Sequence, residues 1–407
     1  MSLEFFNDSP GISDVPGFKV GATGCDIRNK GLDRLDLALI VADRPCVAAG
    51  VFTTNDVKAA PVRYSQKVLA SGTAILGVVA NSGNANACTS VQGDQDTATS
   101  AQWAAQAVGQ PNGAFLICST GRIGELLPMP KVQAGIKAAA SRLSRDAAEG
   151  QRAAEAILTS DTRPKTCTAR FVWQGKTVTL AGMAKGAGMI EPNMATMLAF
   201  ICTDADIAAA DLKTALKQAT EQSFNSVTVD GDMSTNDTVL VLASGHSGVK
   251  VHDGEPALKE LFQKALDQVC FALAEKIVGD GEKITKVVAV EISGARTRAD
   301  AEKVARAIGN SLLVKSSWFG EDPNWGRLAD AAGYARVGID EARLDISYED
   351  VPAVVQGRPI HENKPRWKQV VKAKRFAVRL NLNLGSATFR LLAADLTDGY
   401  VNYNKSE

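Results

Sequence analysis

Short apolar runs alternate along the chain with amphipathic, alanine-rich segments, and this alternation predicts an α/β fold with helices layered on mixed sheets. The runs at residues 75–80, 115–118 and 197–203 predict short buried strands. Strict alternation of apolar and polar residues over 376–382 predicts an antiparallel strand with one solvated face, and residues 387–394 are its predicted partner.

Helical segments are marked by alanine-rich periodicity and by end signals. Residues 96–108 are rich in alanine and stop at Gly109, a residue type that typically follows a helix. Further helices are predicted at residues 130–143, 145–158, 206–222, 255–277 and 299–308.

Turn-forming residues predict two further pairs of strands and the points at which the strands end. Residues 35–42 and 48–53 predict two strands around a turn at 43–45, and residues 169–180 predict a hairpin that turns at 174–175. Other strands are predicted at residues 227–229, 237–243 and 284–292.

Polar groups follow several of these strands, and loops at strand ends often carry binding groups. Thr120 and Gly121 come directly after an apolar strand, where the hydroxyl and the backbone N–H can hydrogen-bond a developing oxyanion. An ordinary turn is the alternative. The Asn-rich residues 81–86 either line a site or satisfy their own backbone in a turn. Glu282 can face an ammonium group or be a solvated turn acid.

The most informative segment is residues 182–203, in which a glycine-rich polar stretch holding Lys185 leads through Ala195 and Thr196 into an apolar strand. Cleavage of the Ala195–Thr196 bond would give Thr196 a free α-amino group with a pKa of about 7.7–8.0. That amine can act as the general base for the Thr196 hydroxyl. A threonine at a strand start is otherwise simply a good strand former.

Composition narrows the class of protein. The 407 residues include 45 Lys+Arg and 45 Asp+Glu, so no charge excess favours nucleic acid or anionic membrane as a partner. Seven scattered cysteines without a Cys-x-x-Cys spacing favour a reducing cytoplasm over a disulfide framework or a zinc site. Residues 230–237 lack the glutamate of a calcium loop, so no metal is expected. The N-terminal residues predict no signal peptide, and no apolar run reaches the roughly 20 residues of a membrane span.

Ten short segments occur in an order that resembles the glutamate N-acetyltransferase/ornithine acetyltransferase family of arginine biosynthesis. The resemblance runs from about residue 14 to 404 and so covers nearly the whole chain. The segments lie at residues 36–40, 48–55, 57–62, 81–87, 119–121, 184–189, 195–198, 229–232, 234–237 and 322–327.

The resemblance implies an N-terminal-nucleophile type of fold and a self-cleaving enzyme. The precursor would divide into an α chain of residues 1–195 and a β chain of residues 196–407, and these αβ units would pair into a heterotetramer. Thr196 would be the nucleophile, and Thr120 with Gly121 would form the oxyanion hole. The residues that would bind substrate are Thr159, Lys185, Thr196, Glu282 and Asn404.

Two features depart from the family pattern. Arg122 stands where the family usually has Val after the Ser-Thr-Gly segment, which places a long cation beside the expected oxyanion hole. The family usually has a hydroxyl residue five positions after the C-terminal Asn, whereas this sequence has only three residues after Asn404.

The predicted reaction is transfer of the acetyl group from N2-acetylornithine to glutamate, with no cofactor and with acetyl-CoA as a further candidate donor. Three histidines in loop-like surroundings give little support to histidine catalysis, which favours the amine of Thr196 as the base. Two alternatives remain: an N-terminal-nucleophile aminopeptidase or amidase, and an uncleaved small-molecule binding protein. Lys185 and Glu282 are expected to bind opposite ends of the substrate.

Overall fold

The computed structural model describes residues 3–31, 33–191 and 197–405. The strands in these ranges are β1 (Leu3–Phe6), β2 (Phe18–Thr23), β3 (Leu37–Phe52), β4 (Ile75–Asn84), β5 (Ala114–Arg122), β6 (Lys165–Trp173), β7 (Lys176–Lys185), β8 (Leu198–Thr203), β9 (Asp206–Ile207), β10 (Val227–Thr228), β11 (Thr238–Ala243), β12 (Lys250–Val251), β13 (Val287–Ala295), β14 (Asp345–Tyr348), β15 (Val351–Val355), β16 (Arg358–Pro359), β17 (Arg375–Asn381) and β18 (Ala387–Ala394). The α-helices are α1 (Ala60–Ala70), α2 (Ser90–Ala107), α3 (Met129–Ser141), α4 (Ala147–Ala156), α5 (Ala209–Glu221), α6 (Pro256–Val278), α7 (Arg298–Gly309), α8 (Leu312–Phe319), α9 (Trp325–Tyr334), α10 (Lys364–Val370) and α11 (Asp398–Tyr403).

The chain divides into two compact units. The first comprises Met1–Ala187, Asn193–Asn225 and Met233–Ile277, and the second comprises Gly188–Pro192, Ser226–Asp232 and Val278–Glu407. The first unit thus takes residues from both sides of residue 195, so these units are not the predicted cleavage fragments. The division into fragments stays a prediction.

A nine-stranded sheet organises the first unit, in the order β1-β6-β7-β8-β11-β3-β4-β5 with β2 also paired to β3. The predicted turn at residues 43–45 is wrong, because β3 continues through these residues as one strand. Its first part pairs with β2 and β4 and its second part with β11, and the register with β4 shifts between Val41 and Cys46. The three turn-like residues are exposed at this irregularity, where Pro45 is tolerated.

The bend in β3 lets two parts of this sheet face each other across one apolar core. Ile40 of β3 shares that core with Met183 of β7 and with buried residues of β2, β4, β5, β8 and β11. Helices α2 and α3 cover the outer side of the β3–β5 part. On the opposite layer, Cys167 Sγ of β6 lies 3.6 Å from the carbonyl oxygen of Val269 in α6. This layering brings the end of β5 next to the end of β7.

A seven-stranded sheet organises the second unit, in the order β10-β18-β13-β17-β14-β15-β16. The predicted pairing of residues 376–382 with 387–394 is wrong, because β13 lies between the two strands. Val290 of β13 pairs with Val378 of β17 in parallel and with Leu391 of β18 in antiparallel orientation. Apolar residues of α7, α8 and α9 pack on this sheet.

Unlike the strand pairings, several predictions that rest on local sequence signals are confirmed. The hairpin at Gln174 and Gly175 is confirmed, with φ of 48° and 79°, the positive values that a two-residue type I′ turn requires. Helix α2 is confirmed, and Gly109 follows it with φ of 72°. The predicted mixed α/β class is confirmed. Across the described ranges, none of the helices combines the length and apolarity needed to cross a bilayer.

Candidate active site

The Ser-Thr-Gly segment is the end of a buried strand and not the ordinary turn that was the alternative. Thr120 is 2% exposed on β5, and this part of β5 pairs with β4. Gly121 has φ of 134°, and a Cβ there would lie 2.3 Å from the carbonyl carbon of Gly83. Because both constraints exclude a side chain, only glycine can present its backbone at this point.

Two amides from elsewhere in the sequence hold the end of β5 in place. Asn236 Nδ2 donates to the carbonyl oxygen of Ser119 at 2.8 Å and to that of Ala85 at 2.6 Å. Ser119 Oγ donates to Asn81 Oδ1 at 2.5 Å. The Asn-rich residues 81–86 therefore support the strand end next to Thr120.

Lys185, the last residue of β7, lies against two of the predicted site residues. Its side chain is 2% exposed, and Nζ donates to Thr159 Oγ1 at 2.7 Å and to Thr120 Oγ1 at 3.4 Å. The structure therefore brings Thr120, Thr159 and Lys185 together, although they lie on β5, on the segment after α4 and on β7.

Asp161 and Lys165 complete this cluster and were missed by the sequence analysis. Asp161 Oδ1 accepts from Lys165 Nζ and from the backbone N–H of Gly186, both at 2.6 Å, and Oδ2 lies 3.8 Å from Lys185 Nζ. The side chains of Asp161 and Lys165 are fully buried. The only signal in the sequence was the i,i+4 spacing of an acid and a base close to Thr159.

The two lysines decide the charge of Asp161. Burial by itself raises the pKa of this carboxyl, but Lys185 and Lys165 outweigh it and hold the pKa below its usual value. Asp161 is therefore an anion between two ammonium groups, and the three side chains together carry one net positive charge.

A second buried acid, Asp237, lies next to the start of β8. Its Oδ1 accepts from the backbone N–H of Met197 at 2.9 Å. Burial raises its pKa well above the usual value, against the lowering effects of that N–H and of Lys185. Thr196 and Ala195, the predicted nucleophile and cleavage point, lie outside the described residues, and Met197 is the first described residue after them.

In the second unit, the side chains of Glu282 and Asn404 are in contact, which the sequence analysis did not predict. Asn404 Nδ2 donates to Glu282 Oε2 at 3.0 Å. Gly188 lies against the same carboxylate, because a Cβ on this glycine would be 2.4 Å from Glu282 Cδ. Asp230 accepts from the backbone N–H groups of residues 189 and 190 and, at 3.2 Å, from the hydroxyl of Tyr400 in α11.

Arg122 has its guanidinium 3.7 Å from Glu125 Oε1, so the cation beside the Ser-Thr-Gly segment has an acidic partner. Within the described ranges, no group of three His, Cys, Asp or Glu side chains is arranged to hold a metal ion.

Comparison with known proteins identifies the family. The ArgJ family model matches residues 19–406. The chain belongs to the ArgJ family. A relative from Symbiobacterium thermophilum, named arginine biosynthesis bifunctional protein ArgJ, is 45% identical over 97% of this chain and 98% of its own. A relative from Methanopyrus kandleri, named glutamate N-acetyltransferase, is 39% identical over 95% of this chain and 97% of its own.

Solved ArgJ-family structures also match. An ornithine acetyltransferase from Mycobacterium tuberculosis, solved in complex with ornithine, is 39% identical with a TM-score of 0.43, and covers 47% of this chain and 98% of that chain. The predicted family, the acetyltransferase class and small-molecule substrates are confirmed by the family and its relatives. The roles of individual site residues, the cleavage point and the assembly remain predictions for this ArgJ-family chain.

Proposed function

We propose that this chain transfers the acetyl group of N2-acetylornithine to glutamate through an acetyl-Thr196 intermediate. The observation that carries the proposal is the buried contact of Lys185 with Thr120 and Thr159 in a member of the ArgJ family. This contact places a cation and a hydroxyl beside a glycine N–H, which is the chemistry that a tetrahedral acyl intermediate requires.

The proposed reaction begins with self-cleavage. The Thr196 hydroxyl attacks the carbonyl carbon of Ala195, the peptide C–N bond breaks to leave an ester, and water then releases the Ala195 carboxylate and the Thr196 hydroxyl. The two fragments are residues 1–195 and 196–407, which we expect to stay associated as αβ units in a heterotetramer.

Each catalytic half-reaction uses the same parts. The Thr196 hydroxyl, deprotonated by its own α-amine, attacks the acetamide carbonyl, and the proton passes to the departing ornithine amine. The Thr120 hydroxyl and the Gly121 N–H stabilise the oxyanion. The glutamate amine then attacks the acetyl ester and regenerates the Thr196 hydroxyl.

Different residues are proposed to bind the ammonium group and the carboxylate group of the substrates. Glu282 is proposed to bind the side-chain ammonium of acetylornithine, with Asn404 holding its carboxylate in position. Thr159 is proposed to contact the substrate. Lys185 touches both Thr120 and Thr159, so its charge is available to the oxyanion or to the substrate carboxylate.

The first experiment tests processing. We expect an intact-mass spectrum of the purified wild type to show two chains that meet at Ala195 and Thr196. Thr196→Ala should give a single uncut chain without transfer activity, and Thr196→Ser, which keeps a hydroxyl, is the matched control that should still be cut. A Thr196→Ala protein that still divides at this bond would contradict the proposal.

The second experiment tests the reaction. Initial rates with varied acetylornithine and glutamate should give the parallel double-reciprocal lines of a ping-pong mechanism. Release of acetate without glutamate dependence would instead indicate the amidase alternative, and binding without turnover the binding-protein alternative. A parallel assay with acetyl-CoA shows whether this chain shares the second donor expected of a bifunctional enzyme.

A further inference from the structure

Two segments of the second unit hold the Glu282 carboxylate. In the described part of the chain, this carboxylate accepts a hydrogen bond from Asn404 Nδ2 at 3.0 Å. The backbone at Gly188 packs directly against it, because a Cβ there would lie 2.4 Å from both Cδ and Oε1 of Glu282. The position of the carboxylate therefore depends on residues 188–190 and on helix α11, which Asn404 follows.

Asp230 binds both of these segments. Its Oδ2 and Oδ1 accept from the backbone N–H groups of residues 189 and 190, at 2.6 and 2.7 Å respectively. Its Oδ2 also accepts from the hydroxyl of Tyr400 in α11, at 3.2 Å. Tyr400 lies one helical turn before Asn404, whose backbone N–H donates to the carbonyl oxygen of Tyr400 at 3.1 Å. One carboxylate thus connects the segment that packs on Glu282 to the helix end that hydrogen-bonds it.

The protonation states of Asp230 and Tyr400 keep these contacts in place. Burial and the negative charge of Asp230 raise the pKa of the Tyr400 hydroxyl, so Tyr400 keeps its proton and remains the donor. Burial also raises the pKa of Asp230, and the backbone N–H groups of residues 189 and 190, which can only donate, oppose that rise. Hydrogen bonds to a carboxylate are charge-assisted and stronger than those between neutral groups, so Asp230 holds its partners firmly.

The start of α11 is tied to the segment between α6 and β13 that carries Glu282. Thr397, the residue before the helix, accepts from the backbone N–H of Tyr400 at 2.9 Å and donates to the carbonyl oxygen of Lys283 at 2.8 Å. Lys283 follows Glu282 in the sequence. Because the helix start is fixed on this segment, the bond between Tyr400 and Asp230 sets how α11 lies against residues 188–190.

We propose that Asp230 and Tyr400 are positioning residues that place the Glu282 carboxylate for the side-chain ammonium of acetylornithine. This inference rests on the proposed function. In the proposed cleaved enzyme, residues 188–190 belong to the α chain, and Asp230, Tyr400 and Glu282 belong to the β chain. The bond between Asp230 and Tyr400 therefore couples the choice of donor to the seating of the α-chain end, and its loss leaves the chemistry at Thr196 unchanged.

The test is Tyr400→Phe, which keeps the ring and removes only the hydroxyl. Two donors are compared: N2-acetylornithine and N2-acetylnorvaline, which has the same carbon skeleton without the side-chain ammonium. We expect Tyr400→Phe to raise KM for acetylornithine about 3- to 10-fold, the range that corresponds to one lost hydrogen bond. The KM values for acetylnorvaline and glutamate, and kcat with both donors, should change less than about twofold.

Tyr334→Phe is the matched control, because it also removes a tyrosine hydroxyl from the second unit, one that donates to the carbonyl oxygen of Ala307 at 2.9 Å. It should leave KM for both donors unchanged. An unchanged KM for acetylornithine in Tyr400→Phe would overturn the inference. Equal losses with both donors would also overturn it, since a general loss of structure does not distinguish an ammonium group from a methyl group.

A double variant gives an independent readout. In a Glu282→Gln background, Tyr400→Phe should raise KM for acetylornithine by less than about twofold, because its effect passes through the Glu282 carboxylate. Effects of the two substitutions that multiply would contradict the proposed coupling.

Self-cleavage is measured on a denaturing gel, and rates are counted per cut chain. If acetylnorvaline is too slow a donor to follow, the competitive inhibition constants of ornithine and norvaline replace the two KM values, with the same expected contrast. If Tyr400→Phe remains uncut, Asp230→Asn, which exchanges one acceptor oxygen for an amide donor, undergoes the same comparison. A wild type that transfers no acetyl group defeats the proposed function itself, which differs from every pattern in the variants.

Discussion

Replacement of Thr120 by valine is the sharpest test of the oxyanion hole. Valine keeps the branched shape of threonine and substitutes a methyl group for the hydroxyl. Thr120 is buried in β5, and its strand is held by backbone pairing with β4, which the substitution leaves unchanged. We therefore expect Thr120→Val to fold.

The size of the effect follows from what the hydroxyl touches. Loss of one oxyanion-hole donor typically costs about 2.7–4 kcal/mol, or roughly 10²–10³ in kcat. Lys185 loses one acceptor and keeps Thr159 and Asp161, so the cost in stability is at most that of one unmade buried hydrogen bond, about 1–3 kcal/mol. Turnover should therefore fall far more than the melting temperature.

Steady-state rates per cut chain, with both substrates varied, are the appropriate measurement. The KM values should stay within about threefold, because the hydroxyl is needed mainly in the transition state. Thr120→Ser restores the hydroxyl and is the matched control, which should recover most of the activity. A fully cut Thr120→Val enzyme with unchanged kcat would refute the assignment and leave Thr120 a structural residue.

Three further predictions follow from close contacts and burial. Gly121→Ala places a Cβ 2.3 Å from Gly83, so we expect a loss of stability of at least about 1–3 kcal/mol in thermal melts, together with loss of turnover; a normal melt would contradict the close approach. Gly188→Ala should displace the Glu282 carboxylate and raise KM for acetylornithine by about tenfold, and an equal rise for glutamate would show that Glu282 does not read the ammonium group. Burial raises the pKa of Asp204 from 3.8 to about 6, so the folded state loses stability as pH rises between these values. Asp204→Asn should therefore stabilise the protein by up to about 3 kcal/mol at pH 7.5 and give no gain in stability at pH 3.5. Equal effects at both pH values would show that folding does not raise the pKa of Asp204.

The amino-acid sequence by itself determined the local elements and the family. Residues 96–108 carry a helical pattern and a C-terminal glycine, and α2 forms there because these signals lie within a few turns of the chain. The type I′ hairpin at residues 174–175 depends on two residues that adopt positive φ. The ordered motifs indicated the ArgJ family because they are properties of the linear sequence.

Strand partners were decided only by the tertiary structure. Residues 43–45 have the composition of a turn, yet β3 runs through them because β4 and β11 offer hydrogen-bond partners on either side of the bend. β17 and β18 are close in sequence, but β13 lies between them. Apolar periodicity says that a strand buries one face and does not say which strand lies beside it.

The same distinction between sequence and tertiary structure applies to the candidate active site. The sequence indicated the two residues separately, Thr120 directly after an apolar strand and Lys185 in a glycine-rich polar stretch. Only the folding of one part of the sheet over the other places their side chains 3.4 Å apart, across 65 residues of chain. Asp161 and Lys165 have the composition of a solvated loop, and their full burial depends on the charges that pack around them. Long-range packing determines which charged groups are buried and which of them pair with each other. The order of residues in the sequence does not predict that pairing.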